Sequence, residues 1–347
     1  MRLIYFSPMA NNLDDWVKQA MVGDDICHRE EEFTKLLQRI RGKLIETVKG
    51  TNKHSAVIIG GSGTAAIESV MSSLDKDKVQ VLFLDNGYYG TRMRRIARRY
   101  ELSSEEIIFE DVFKLSDVEG MIKNDKVTHV AMVHHETSTG TLNPLRMVGR
   151  LCKKYNKKLI VDAISSIGVQ DLNIIDDNIS YLMGSSNKGI GGAEGISFVI
   201  VEKTEVEHLV GNNYYLSLRE NLLKQNEGQT LFTPAVRIFQ GFDKALDLLR
   251  EEGIENRQKR FVEIAIELRK GMKELGFEML TQCPSSVTSL YSLGKYDFNT
   301  LHKQLKSKGY VIYTGLDDKT FRLCTYGTIQ VEDIKKFLEV MKEITND

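Results

Sequence analysis

The sequence predicts an α/β protein: a large domain with a mostly parallel seven-stranded sheet between helices, then a smaller C-terminal α+β domain. Short apolar runs alternate with helical patterns as far as about Thr233 and Pro234, where one long helical stretch takes over. Small-residue turns and isolated polar side chains stand at the ends of those runs, which is where ligands sit in parallel sheets.

The first helical pattern spans Phe33–Val48, with apolar residues at helical spacing. Ser55–Gly60 then reads as a strand and Thr64–Leu74 as the helix behind it. Further strand-like runs are VQVLFLDN, EIIFED, HVAMVHH, KLIVDA, YLMGSS and ISFVIVE, with helical TRMRRIARRY and LRMVGRLCKKY between several of them. Phe239–Gly276 reads as one long helical stretch leading to strands near SVTSLYSL, VIYTG and TFRLCTYG and a terminal helix EDIKKFLEVMKEI. A chain of 347 residues exceeds the usual size of a single core, so two domains are expected, 16–240 and 241–347.

Composition narrows the function classes. A net charge of −1 gives no general attraction to nucleic acid or anionic membrane. The four cysteines, Cys27, Cys152, Cys283 and Cys324, are scattered without metal-site spacing, which fits a reducing compartment. The N-terminus has no apolar leader and no run is long enough to span a bilayer, so a cytoplasmic protein is expected.

Two residues carry the chemistry. Asp162 ends the apolar run LIVD, where a carboxylate is costly to bury unless it meets a cation or donor. Lys188 stands in the small-residue turn GSSNKG, with no bulky neighbour in sequence. A carboxylate to face a pyridinium nitrogen and an amine to form an imine are what a protein supplies to use pyridoxal 5'-phosphate as an electron sink. That cofactor is therefore expected.

Other motifs have two readings each. Gly60–Glu68, GGSGTAAIE, is a glycine-rich turn opening a helix; it either cradles a phosphate through backbone amides and the Ser62 and Thr64 hydroxyls or is a self-capped tight turn. Tyr88 and Tyr89, between glycines at a strand end, are either exposed turn residues or a stacking surface for a flat ring, Tyr89 being the better candidate. Arg92, Arg94, Arg95, Arg98 and Arg99 read as a solvated helix face or subunit contact. Thr137 either touches the cofactor or caps the next helix. Adjacent His134 and His135 point to opposite sides of an extended chain, so no metal site is expected. Arg322, among apolar neighbours in FRLC, either binds a substrate carboxylate or forms an internal salt bridge.

Taken together, ETSTGTLNP, VDAISSIG, SSNKGIGG, NGYYGTRM and the late FRL resemble the class V aminotransferases of the fold type I pyridoxal phosphate superfamily, over nearly the whole chain. The NK-x-I-x-G string at Asn187–Gly192 is similar to that of the branch acting on 2-aminoethylphosphonate and pyruvate. The resemblance implies that Lys188 is the Schiff-base lysine, Asp162 the partner of the ring nitrogen, and Ser62, Gly63 and Thr64 the phosphate turn. It further implies that Tyr89 stacks on the ring, Thr137 contacts the cofactor and Arg322 binds the substrate carboxylate. Thr233 matches a position reaching the phosphate of the neighbouring subunit, which implies a homodimer with shared active sites. Residues 1–15 are implied to form an arm near the active site. Two departures bear on the amino donor: Pro8-Met9-Ala10 replaces a proline–glycine–proline turn, and Glu194 stands where proline is common.

The implied activity is ping-pong amino transfer from a small amine, with 2-aminoethylphosphonate favoured, to pyruvate. The competing readings are an alanine- or serine–glyoxylate aminotransferase, a lyase such as a cysteine desulfurase, and a cofactor-binding protein without catalysis. The lyase needs a cysteine on a mobile loop, whereas Cys324 falls in an expected strand. A nicotinamide enzyme is disfavoured, since GGSGTAA lacks GxGxxG.

Overall fold

The computed structural model describes residues 3–9 and 12–346. Ala10, part of the altered N-terminal turn, lies outside them, as do Met1, Arg2, Asn11 and Asp347. In chain order, β1 (Ile4–Tyr5), α1 (Asp15–Met21) and α2 (Glu31–Thr47) come first. Alternation follows with β2 (His54–Gly60), α3 (Gly63–Ser73), β3 (Gln80–Asp85), α4 (Tyr88–Arg99), β4 (Ser103–Ile108), α5 (Leu115–Ile122) and β5 (His129–Val133). A small hairpin, β6 (His135–Glu136) and β7 (Thr141–Leu142), precedes α6 (Leu145–Lys154), β8 (Lys158–Asp162), β9 (Tyr181–Ser185), β10 (Ile196–Glu202) and α7 (Leu218–Asn226). The remainder is α8 (Val236–Glu252), α9 (Ile254–Glu274), β11 (Thr288–Ser292), α10 (Phe298–Ser307), β12 (Tyr310–Val311), β13 (Tyr313–Thr314), β14 (Thr320–Cys324) and α11 (Val331–Asn346).

Among the described residues the main sheet has seven strands in the order β2-β10-β9-β8-β5-β3-β4. The pairs β3–β4, β3–β5, β5–β8 and β8–β9 are parallel, and β10 runs against both its neighbours. This is the mostly parallel seven-stranded sheet expected from the alternation. Its strands bury both faces because their residues alternate between two cores. Ala56, Ile58, Leu82 and Val161 pack with α2, α5, α6 and α8. Val57, Ile59, Phe83 and Ile160 pack with α3, α4 and α7 on the other side. A third core unites α9, α10, α11 and the sheet β11-β14-β13, and Phe6 from the N-terminal segment inserts into it.

The edge strand and the long helical stretch differ from the sequence reading, and VIYTG is split between β12, beside β1, and β13, beside β14. The edge strand expected over EIIFED lies earlier, because its parallel partner β3 ends at Asp85, which stands opposite Ile108; the Phe109 N–H makes the final bond to the Asp85 carbonyl at 2.8 Å. The long helical stretch is two helices. Gly253 adopts φ of +77°, a left-handed conformation that costs glycine little and ends α8. The apolar face of α8 packs under the main sheet as far as Leu249, whereas α9 belongs to the third core from Phe261 onward. No helix among the described residues is long and apolar enough to cross a membrane.

β9 reaches the site through a glycine covered by an aromatic ring. Gly184 lies opposite Phe198 of β10, and a Cβ added there would stand 2.2 Å from the ring's Cζ. Phe198 is fully buried, so its ring has no open space to move into. Gly184→Ala should therefore lower stability by about 1–3 kcal/mol through overpacking. The check is a urea unfolding curve, expected to show a lower midpoint with an unchanged slope; an unaltered midpoint would contradict this packing.

Candidate active site

The first turns of α3 and α4 and the carboxyl ends of β5, β8 and β9 surround a cavity of about 200 Å³. Six of the residues singled out from sequence line it: Ser62, Gly63, Thr64, Tyr89, Asp162 and Lys188.

Asp162 is the last residue of β8, fixed in register between Val133 of β5 and Met183 of β9. The Ile164 N–H donates to its Oδ1 at 2.9 Å. Burial raises the pKa of this carboxyl, while the Ile164 N–H and the charges of Arg92 and Lys188 draw it back down.

Lys188 follows β9 in a turn with little freedom. The Gly191 N–H donates to the Lys188 carbonyl at 3.0 Å, and a Cβ on Gly189 would meet the Ile167 carbonyl oxygen at 2.3 Å. Arg257 of α9 donates from Nη1 to the Gly189 and Ile190 carbonyls at 2.9 and 3.2 Å, tying this turn to the third core. The small neighbours in sequence left the amine looking open, but residues distant in sequence cover it. Its Nζ donates to the Pro8 carbonyl and lies 5.9 Å from the centre of the Tyr326 ring. Burial lowers its pKa to about 8.

The turn before α3 lacks the self-capping that was one of its two readings. Ser62 occupies the N-cap position, yet its hydroxyl makes no cap hydrogen bond. Gly63 faces the Ile164 side chain, where a Cβ would stand 2.6 Å from Cδ1. The helix amides and the Ser62 and Thr64 hydroxyls thus present donors to the cavity, as an anion site requires.

Tyr88 and Tyr89 belong to the first turn of α4 rather than to an open loop. Tyr88 is exposed, whereas Tyr89 is half-buried with its hydroxyl pKa pushed up by burial. The solvated-face reading of the arginines fails for Arg92, one helical turn beyond Tyr89. Arg92 lines the cavity with its guanidinium 4.7 Å from the centre of the Tyr89 ring, and its Nε is buried without a hydrogen bond. Arg94 pairs with Asp85 and Glu106 at 3.1 and 2.5 Å and Arg98 with Glu106 at 2.8 Å, while Arg95 and Arg99 are exposed.

Thr137 and Arg322 stand just behind the lining. The Thr137 hydroxyl donates to Ser165 Oγ at 2.6 Å, and Ser165 borders the cavity. Arg322, from β14, donates from Nη1 to the Thr137 carbonyl at 3.0 Å and from Nε to the Thr314 carbonyl at 2.9 Å. Its guanidinium lies 5.3 Å from the Tyr313 ring centre, and no carboxylate among the described residues pairs with it. The internal salt bridge is thus absent there, and a buried guanidinium is left suited to an incoming anion. Thr233 is exposed on the segment before α8 and does not line this cavity, and Glu194 is also exposed outside it.

Sequence reasoning missed several neighbours. His135 borders the cavity; its Nε2 lies 2.8 Å from Ser285 Oγ, and burial lowers its pKa to about 4, so it is neutral at physiological pH. Ser165 and Asn187 also line the space. Both sit inside the motifs that pointed to Asp162 and Lys188, which was the available signal. The assembled groups suit a flat heteroaromatic ring with an anionic arm: a buried carboxylate, a buried amine near neutrality, an aromatic face and an uncapped helix start.

Comparison with known proteins gives the family. The family model for aminotransferase class-V matches residues 12–319. The chain is 33% identical to a 2-aminoethylphosphonate–pyruvate transaminase of Phocaeicola vulgatus, over 94% of this chain and 95% of that protein. It is 34% identical to a bifunctional phosphonoacetaldehyde hydrolase/aminoethylphosphonate transaminase of Clostridioides difficile, over 98% of this chain; there it spans about half of the relative, 54%. Among solved structures, a subgroup IV aspartate aminotransferase of Thermus thermophilus superposes with a TM-score of 0.91 at 23% identity, covering 100% of this chain and 99% of that one, which is a likeness of fold. Sequence and fold converge, and this chain belongs to the class V aminotransferase family.

Proposed function

We propose that the protein is a pyridoxal 5'-phosphate-dependent transaminase that moves an amino group from a small amine, with 2-aminoethylphosphonate favoured, to pyruvate by a ping-pong sequence. The observation that carries this reading is that Asp162 and Lys188 border one small cavity and are both pushed by burial toward their neutral forms. Each lacks a full charge partner, and a cationic ring would supply one to the carboxylate. The names of the relatives that match nearly the whole chain support the choice of donor and acceptor.

Pyridoxal phosphate, when bound, supplies an electron sink for the pair left behind as the donor carbon loses its proton. The chain's own residues would do the rest. Ser62, Gly63 and Thr64 would hold the phosphate, joined by Thr233 of a second copy in a homodimer with shared sites. Asp162 would keep the ring nitrogen protonated, Tyr89 would set the tilt of the ring, and Thr137 would support its edge through Ser165. Lys188 would attach the cofactor and, once freed, carry the proton at Nζ; a pKa of about 8 makes it an effective acceptor near neutrality. Arg322 would receive the keto acid's carboxylate. A division into large and small domains around α8 and α9, with the N-terminal segment reaching over the lysine, and a cytoplasmic location complete the reading.

The lyase alternative finds no support in Cys324. That thiol is fully buried in β14 and burial raises its pKa, the reverse of what a nucleophilic thiol needs.

The test is the visible absorbance of the purified holoenzyme, titrated separately with 2-aminoethylphosphonate, alanine and serine. The phosphonate should convert the spectrum at the lowest concentration. A response to alanine or serine alone would move the assignment to the glyoxylate-type enzymes, and no response to any of the three would remove amino transfer. Arg322→Ala should raise the KM for pyruvate by about 10²-fold, as expected for loss of a charged anchor, while leaving cofactor affinity within a few-fold. An unchanged pyruvate dependence would exclude Arg322 from that role.

A further inference from the structure

Glu136 is fully buried, and no lysine, arginine or histidine among the described residues forms an ion pair with it. Isolated carboxylates are seldom left inside a protein unless something compensates them. Burial raises the pKa of Glu136 to about 7, and the start of α4 supplies partial compensation. Tyr89 and Gly90 donate their backbone N–H groups to Glu136 Oε2 at 3.0 and 3.1 Å, so the carboxylate caps the helix from a separate segment of chain and meets the positive end of its dipole. Oε1 accepts from the Ser138 N–H at 3.1 Å and from the Ser138 hydroxyl, whose oxygen accepts the Tyr88 N–H at 3.0 Å. The fit is close: a Cβ on Gly87 would stand 2.5 Å from Glu136 Cγ.

Thr137, between Glu136 and Ser138, reaches the other parts of the site. Thr137 gives its hydroxyl to Ser165 beside the cavity and its carbonyl to Arg322. The segment Glu136–Ser138 is therefore bonded at once to the helix that bears Tyr89 and Arg92, to the loop after Asp162, and to the guanidinium delivered by β14.

We propose that Glu136 is a positioning residue, which holds the first turn of α4 against the Thr137–Arg322 contact and so fixes the Tyr89 face relative to the carboxylate-binding guanidinium. It acts through Tyr89 and Arg322 and touches neither cofactor nor substrate. The proposal rests on the transaminase reading in two respects, that a flat ring lies against Tyr89 and that Arg322 receives the keto acid's carboxylate.

The experiment compares the wild-type holoenzyme with Glu136→Gln and Glu136→Asp. Three quantities are read: the visible circular dichroism of the bound cofactor, the KM and kcat for pyruvate, and the thermal midpoint. In Glu136→Gln the amide nitrogen replaces one acceptor among donors. The cofactor's dichroism should change and the pyruvate KM rise roughly tenfold, with a smaller fall in kcat, as expected when a reacting geometry loosens. Glu136→Asp keeps the carboxyl group and should lie nearer the wild type in both. A Glu136→Gln enzyme with a lower midpoint but wild-type dichroism and KM would overturn the proposal, leaving a purely structural carboxylate. Should Glu136→Gln fail to fold, the same readings on Ser138→Ala decide: altered dichroism with a raised pyruvate KM supports the proposal, and wild-type values of both overturn it. A wild type without a cofactor spectrum would instead remove the transaminase reading, and this inference with it.

Discussion

The structure turns on two buried charges with incomplete partners at one end of a parallel sheet. β8 and β9 are adjacent and run the same way, so the aspartate that ends one and the lysine that follows the other emerge on the same edge. Helices cover both faces of the sheet and exclude water, and burial then pushes the carboxyl up and the amine down. A site that leaves both groups short of their favoured charge state is prepared for a ligand that brings its own charge. The remaining features follow from that arrangement: an uncapped helix start for an anion and an aromatic face for a flat ring.

The C-terminal elements complete the site by a different route. Arg322 sits in a strand of the third core, yet its Nη1 bonds to the carbonyl of Thr137 in the segment following β5. Arg257 makes the corresponding link from α9 to the turn that carries Lys188. Two buried guanidiniums therefore join the third core to the cavity through backbone carbonyls, an acceptor that survives any side-chain change on the other side. Pro8, on the N-terminal segment that pairs β1 with β12, reaches the lysine amine. Parts that could close over a substrate are thus tied to the groups that would react with it.

Much of this was legible in the sequence because local chemistry and local structure agreed. Asp162 at the end of LIVD and Lys188 in GSSNKG each broke the expectation for their surroundings, and both lie where the pattern placed them. The glycine-rich start of α3 was equally visible, although its choice between self-capping and ligand holding needed the geometry of Ser62. What stayed hidden was three-dimensional. Arg92 belongs to a run of arginines whose other members pair with acids or face solvent, and only the turn of α4 separates it from them. Glu136 stands in a polar string, and its partners are backbone amides of a helix far away in sequence, which no side-chain pattern encodes. The break at Gly253 was obscured because a glycine within a helical pattern marks either an interruption or a tolerated residue. Thr233, implied by resemblance alone, is exposed and does not line this cavity.

The most direct measurement is covalent capture of pyridoxal 5'-phosphate by the cofactor-free protein at a series of pH values, each sample reduced with borohydride and its labelled lysine mapped by mass spectrometry. A lysine is reactive as the neutral amine, so a lowered pKa makes capture rise with pH and level off above that value. The account predicts label on Lys188, with a rise centred on its lowered pKa of about 8 and levelling off roughly one to two pH units above it. Label on a different lysine, or capture on Lys188 that keeps rising toward the ordinary lysine value of 10.5, would contradict a buried amine poised beside Asp162.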